Sequence, residues 1–441
     1  MPPNEPYRTY QGDVGLVAVG WGQDGEIRDR RELTPDVVPD TYLHRPDELL
    51  VRPGAEDRAA GVLDSLTAQE PSRWVQTDRP GGFARFELKD RPSERGLPPS
   101  RPVMRAVASL RDQGLAAPNA IYCSAVQQFY SAPKYQGKPR SLAQPADAPS
   151  HPRKLAPNSG RPVVIGVVDT GLVPDANRHA WLAGAVQAGQ VRFDPYDRAD
   201  EPDSIKPSGM LDPVAGHGTF ITGLLLDGAP AAMVCSVRQV DVLGVISEAQ
   251  VLQAIDRVRD LALAELGREL DILNLSLGGW SHGDVEPPFL GEKLRQLMAE
   301  GTLVVAAAGN LRTDRKFWPA AMEDVVAVAA TGRNRNPTPW SSRGEWVDVL
   351  ARGAGVESTF YRGFTSRPGR GSEAVFDGWA RWSGTSFAAP RLAAAVAKRI
   401  GHDGVGARDA YEELQTRRLD ERDGRPRGPG ADDFPSAWVL D

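Results

Sequence analysis

The sequence predicts an α/β protein: a parallel sheet with helices on both faces, preceded by a small α+β domain. Three observations carry that expectation. From Arg161 onward, near-continuous Val/Ile/Leu runs separated by glycine turns alternate with helical patterns, the mark of parallel strands covered on both faces. Residues 46–131 have a different rhythm, with short half-buried strands between two short amphipathic helices. Between the two regions, residues 132–160 hold Pro133, Pro139, Pro145, Pro149, Pro152 and Pro157 with no periodic apolar face, as a linker would.

Composition narrows the function classes. The 441 residues are 41% hydrophobic and 25% charged, and 52 Lys+Arg against 58 Asp+Glu leave a net charge of −6. That balance provides no basic field for nucleic acid or an anionic membrane surface. Nor is there a Lys-bearing phosphate loop or a basic, aromatic-rich stacking platform. Cys123 and Cys235 are the only cysteines, too few for a disulfide scaffold or a zinc cluster. No apolar run reaches the roughly 18 residues of a spanning helix, so no membrane partner is expected. The start, Met1-Pro-Pro-Asn-Glu-Pro, lacks the basic-then-apolar pattern of a secretory leader, and cytoplasmic residence is the expectation.

Residues 1–45 are a polar extension in which Gly15 to Trp21, a Gln23-Asp24-Gly25 turn and Glu26-Ile-Arg predict a hairpin. In 46–131, Glu48-Leu-Leu-Val-Arg reads as a strand and Glu56 to Leu66 as a helix with Ala59, Val62, Leu63 and Leu66 on one side. Gly82 to Leu88 is a second strand, Val103 to Leu110 a second helix closed by Gly114, and Ala120 to Val126 a last strand. The expected order is therefore β-α-β-α-β, a small sheet with both helices on one face. The linker 132–160 is locally basic and reads as a solvated spacer or as a processing region.

In 161–401 the strands are Val163 to Val168, Val234 to Val242, Asp271 to Leu277, Leu303 to Ala308 and Val325 to Ala330. The helices are Glu248 to Leu266 and Leu290 to Ala299. Catalytic groups of such a sheet belong at the carboxyl ends of its strands. Residues 402–441 read as one helix around Tyr411 to Arg417 and a charged Gly/Pro-rich tail ending Trp438-Val-Leu-Asp, with no assignable role.

Three stretches carry reactive side chains. Val167-Val-Asp169-Thr-Gly171 ends the first buried strand with a carboxylate, which needs a partner. Gly216-His217-Gly218-Thr219 opens a helix with an imidazole between two glycines, and Ser383-Gly-Thr-Ser386-Phe-Ala-Ala-Pro390 places a serine at a helix N-terminus. Taken singly, Ser386 reads as an N-cap and Asp169 as a turn or cap residue, and His217 reads as a packed imidazole as readily as a catalytic one. Together they are the parts of nucleophilic acyl transfer, because serine attacks only when a base takes its proton and a carboxylate holds that base in the useful tautomer.

In this order, with these flanks and intervals of 48 and 169 residues, the stretches resemble the subtilisin-like serine proteases. The resemblance covers residues 161–400 and implies a subtilisin-like fold and a serine endopeptidase acting on protein or peptide substrates. Ser386 is then the nucleophile, His217 the base, Asp169 its orienter, and Asn310, in Ala306-Ala-Ala-Gly-Asn310, the oxyanion donor. Ala308 and Gly309 of that segment, Ser276-Leu277-Gly278 and the stretch beginning Gly244-Val245 correspond to the family's substrate-binding segments, where an extended peptide adds as a strand. Phe317-Trp318-Pro319 falls near the floor of the pocket for P1, the residue before the cut, and implies an uncharged P1. Thr359 to Gly371 is longer than in compact members and reads as a solvated insertion rather than a mobile loop over the cleft. No cofactor and no required metal are expected. The β-α-β-α-β segment resembles the family's ferredoxin-like propeptides, an intramolecular inhibitor whose tail, Val126 to Ser131, threads the cleft, with a cut near 129–131 or in the linker. An activating partner is open, as is the alternative of a silent or permanently self-inhibited binding protein on the same scaffold.

Overall fold

Leu49 and Val51 point to one side of their strand and Leu50 to the other, and this alternation places the N-terminal domain between two cores. The computed structural model describes residues 18–21, 41–68, 72–89, 101–111, 114–123, 139–141, 162–193, 211–212, 214–241, 244–365, 375–420, 426 and 429–440. The first elements are β1 (Ala18–Trp21), β2 (Thr41–Val51), α1 (Glu56–Thr67), β3 (Arg73–Gln76), β4 (Ala84–Lys89), α2 (Arg101–Arg111) and β5 (Ala116–Cys123). They form an antiparallel sheet in the order β5-β2-β4-β3, with β1 on the first residues of β2. Ala59 and Leu63 of α1 and Val103, Ala106, Val107 and Leu110 of α2 meet Leu49, Val51, Phe86 and Leu88 on one face. The opposite face, with Leu50, Phe83 and Ala117, joins the core of the larger domain.

The observed pattern is β-α-β-β-α-β, the split βαβ arrangement, and not β-α-β-α-β. The strand absent from the sequence reading, β3, is four residues long with only Trp74 buried, too short to show an alternation. The predicted hairpin arm Ala18–Trp21 is a strand, and its partner is Thr41–His44. Its expected second arm, like the proposed tail 126–131, lies outside the described residues.

After β6 (Arg140–Ser141) come β7 (Val164–Asp169), α3 (Leu182–Gln187), β8 (Val191–Phe193), α4 (His217–Gly228), β9 (Met233–Arg238), β10 (Val245–Ser247), α5 (Glu248–Leu266) and β11 (Ile272–Leu275). They are followed by α6 (Pro288–Ala299), β12 (Leu303–Ala307), β13 (Val326–Thr331), β14 (Val349–Arg352), β15 (Val356–Thr365), β16 (Val375–Trp382), α7 (Thr385–Asp403), α8 (Ala407–Asp420) and β17 (Trp438–Val439). Eight of these strands form a parallel sheet in the order β17-β14-β13-β12-β11-β7-β9-β8. Every residue of β7, β11, β12 and β13 is buried, as the continuous apolar runs require. Helices α4 and α7 cover one face of the sheet and α5 and α6 the other. Helix α5 starts with a capping box between Ser247 and Gln250 and ends at the left-handed Gly267.

Two regions depart from the sequence reading. The expected solvated insertion Thr359 to Gly371 begins instead as packed structure: Thr359 to Thr365 belong to the β15–β16 hairpin, where Thr359, Phe360 and Tyr361 are buried and Arg362 and Gly363 exposed, and residues 366–371 lie outside the described residues. Ser358 and Thr359 donate to the carbonyls of Phe220 and Thr219, which fastens the hairpin to α4. The C-terminal segment carries β17, which extends the main sheet beside β14 with Trp438 fully buried. In the linker, Arg140 and Ser141 pair with Arg381 and Ala380 of the hairpin. Among the described residues no helix is long and apolar enough to cross a membrane.

Candidate active site

Asp169 is the last residue of β7, Asn310 follows the end of β12, and His217 and Ser386 occupy the first turns of α4 and α7. All four therefore gather at one edge of the sheet, beyond the carboxyl ends of its strands. Each is buried: Asp169 and His217 are at 0% exposure, Ser386 at 2% and Asn310 at 4%.

The buried carboxylate has the partner its position demanded. His217 Nδ1–H donates to both Asp169 oxygens, at 2.8 and 3.0 Å, and Oδ1 also accepts the Thr170 N–H. A carboxylate on Nδ1 fixes the proton there and leaves Nε2 as the basic nitrogen. Nε2 is buried and has no hydrogen-bond partner among the described residues. The imidazole is held edgewise against Trp382, 5.6 Å between centroids, and lies tilted against Phe387 at 5.2 Å. The flanking glycines are sterically required. A Cβ on Gly218 would lie 2.4 Å from the Gly171 carbonyl oxygen, and Gly216 has φ +82° with the Phe360 ring in its Cβ position.

Ser386 is the second residue of α7, so its backbone lies at the positive end of a 19-residue helix. Its Oγ donates to the Ser276 carbonyl at 3.3 Å. Ser276 Oγ in turn donates to the Ser386 carbonyl at 2.8 Å and accepts from Asn274, so Ser276 acts as a strut between β11 and α7. Asn310 Oδ1 accepts both the N–H and the hydroxyl of Thr385, and Thr385 Oγ1 accepts the Gly309 N–H. Thr385 thereby orients the Asn310 amide, a role that the Gly-Thr-Ser motif hid because a threonine beside the serine has no chemistry of its own.

The expected substrate-binding segments hold a strand of the N-terminal domain. Cys123 exchanges backbone hydrogen bonds with Gly278, at 2.8 and 3.1 Å. On its other edge, Ile121, Tyr122 and Cys123 pair antiparallel with Ser247, Ile246 and Val245. Gly278 and Val245 thus flank one peptide strand, and the left-handed Gly244 turns the chain into β10. Leu277 and Ala308 direct their side chains into the core, so only their backbones face this channel.

Behind the strand lies a group that the sequence reading missed. Glu248, at the start of α5, is 1% exposed. It accepts the Tyr122 hydroxyl at 3.4 Å and the Leu290 N–H at 3.1 Å. Burial pushes its carboxyl up to about 7 against those two donors, and burial together with this neighbour drives the Tyr122 phenol well above its ordinary value. Asn119 Oδ1 accepts the Ala249 N–H, so the N-terminal domain also caps α5. The capping residue comes from 130 positions away, which no local pattern displays.

A family model described as the subtilase family matches residues 160–409. Thermitase of Thermoactinomyces vulgaris is 30% identical over 239 residues, 52% of this chain and 71% of thermitase. A thermophilic serine proteinase of Bacillus sp. (strain AK1) is 29% identical over 255 residues, 56% of this chain. The chain spans about half that proteinase's length, 55%. A crystal structure of a cold adapted subtilisin-like serine proteinase aligns with 65% of this chain and 90% of its own at a TM-score of 0.48 and 21% identity.

Proposed function

The chain belongs to the subtilase family, and we propose that it is a serine endopeptidase whose cleft is occupied by its own N-terminal domain. The observation that carries this reading is the buried Asp169–His217 pair at the same strand ends as Ser386, with the strand Ile121–Cys123 seated between Gly278 and Val245.

In this mechanism a protein substrate lies extended between Gly278 and Val245, paired on both edges as the strand Ile121–Cys123 is. Ser386 Oγ turns from the Ser276 carbonyl to His217 Nε2 and attacks the scissile carbonyl as Nε2 takes its proton. Asp169 keeps the imidazole in the Nδ1–H tautomer and balances its positive charge. The oxygen that becomes negative is received by Asn310 Nδ2 and by the N–H of Ser386, aided by the α7 dipole. His217 then hands its proton to the leaving amine, and water repeats the sequence on the acyl-enzyme.

The N-terminal domain inhibits by filling the channel with backbone hydrogen bonds that a substrate would otherwise make. Intact mass spectrometry of the wild type beside Ser386→Ala, after incubation at neutral pH, tests both halves of the proposal. Loss of an N-terminal fragment by the wild type alone, with fluorophosphonate labelling of Ser386, is expected. If the wild type stays whole and the probe fails to label it, the chain is not a self-activating protease but a silent or permanently self-inhibited binding protein on the same scaffold.

A further inference from the structure

The strand Ile121–Cys123 shows how the cleft reads side chains. Building on the protease reading above, we propose that it selects protein segments with a tyrosine three residues before a small residue at the cut. Two separate features assign the two positions.

The first is the seat of Tyr122. Its side chain is fully buried opposite Ile246, within a cluster that includes Leu277, Ala249 and Phe289. The ring lies over Gly279, where a Cβ would come within 3.2 Å of it. At the end of this slot the phenol donates to Glu248 at 3.4 Å. A phenylalanine would fill the same space but leave the buried carboxyl with the Leu290 N–H as its one remaining donor of the two. A site built to bind a hydroxyl discriminates against the analogue that lacks it, because the buried polar group is then left short of a partner.

The second feature is Phe317. The hydrogen-bonded pair of Cys123 and Gly278 sets an antiparallel register, and two steps along it a bound peptide meets Ser276, whose carbonyl lies 3.3 Å from Ser386 Oγ. The carbonyl attacked therefore belongs to the residue three positions after the tyrosine. Its side chain must drop between the segments ending at Gly278 and at Gly309, and the edge of the Phe317 ring occupies that gap. A Cβ on Gly278 would lie 2.3 Å from the ring, and one on Gly309 3.1 Å. The ring is 1% exposed and braced edge-on by Trp280 at 6.4 Å, so it does not yield to a large side chain. In the sequence, the residue three positions after Tyr122 is Ala125, of the size such a slot admits.

The test uses the full chain after incubation at neutral pH and four tetrapeptide p-nitroanilides: Tyr-Ala-Ser-Ala, Tyr-Ala-Ser-Phe, Tyr-Ala-Ser-Arg and Phe-Ala-Ser-Ala. In kcat/KM the first is expected to exceed the second and third by about 100-fold and the fourth by about 10-fold. Phe317→Ala is expected to reverse the alanine-over-phenylalanine preference. Phe317→Leu, a milder change that preserves packing, should reduce that preference without abolishing activity. Mass spectrometry of the self-cleaved chain should place the cut after Ala125. A labelled, active enzyme that favours phenylalanine at the cut, ignores the tyrosine hydroxyl or cuts itself after Phe129 or Tyr130 overturns this inference and leaves the protease reading standing. Absence of both Ser386 labelling and cleavage overturns the two together.

Discussion

The N–H and the hydroxyl of Thr385 both donate to Asn310 Oδ1, at 2.9 and 3.1 Å. A backbone N–H can only donate, so the atom facing Thr385 is the amide oxygen, and Nδ2 is the end presented to the site. Asn310→Leu is therefore expected to lower kcat by about 100–1,000-fold with KM little changed. Thr385→Val keeps the backbone donor and loses the hydroxyl, and should cost about tenfold in kcat. Steady-state kinetics on a peptide substrate decides the matter: an effect confined to KM removes Asn310 from the oxyanion site.

Asp169 and His217 are both sealed from solvent. Asp169→Asn preserves the shape of the pair but presents an amide to Nδ1 and allows the wrong tautomer. A fall of about 10⁴-fold in kcat is expected, with folding unchanged by circular dichroism. Retention of wild-type turnover would refute the assigned role.

Glu248 makes stability pH-dependent. Its folded pKa, about 7, lies above the ordinary 4.5, so the protonated form is favoured in the native state. The corresponding stability is fully present below about pH 4.5 and is lost as pH rises through 7. The effect is on the order of a few kcal/mol. In a Ser386→Ala background, which removes self-cleavage, Glu248→Gln should flatten the decline of Tm between pH 4.5 and 8. Parallel Tm profiles for the two proteins would show that Glu248 does not carry this dependence.

Trp438 is fully buried, pairs with Val349 and packs its ring 6.1 Å from that of Tyr411. Trp438→Ala leaves a cavity at the edge of the main sheet and is expected to destabilise the fold by about 3–5 kcal/mol. Chemical denaturation measures it. A change below about 1 kcal/mol would mean that β17 is not integral to the sheet.

Elements that carry their own signal were legible before the fold was known. The buried strand ending at Asp169 announces itself by a run of apolar residues, and helix α5 by its periodicity. The edge strand β3 did not, because one buried tryptophan in four residues is not a pattern. The buried stretch Thr359–Tyr361 looked like loop because its arginine- and glycine-rich continuation masks the part that packs on α4.

The sequence by itself determined the α/β class, the Asp169, His217 and Ser386 motifs and the change of rhythm between the N-terminal helix-and-strand region and the rest. Each rests on short-range regularities, such as periodicity, turn residues and motif flanks. Only the tertiary structure decided that Ile121–Cys123 fills the channel between Gly278 and Val245, that Thr385 aims the Asn310 amide, and that Tyr122 meets Glu248. The physical reason is range. These contacts join residues 75 to 155 positions apart, and hydrogen-bond partners of that separation are chosen by the packing of whole domains, which no window of local sequence contains.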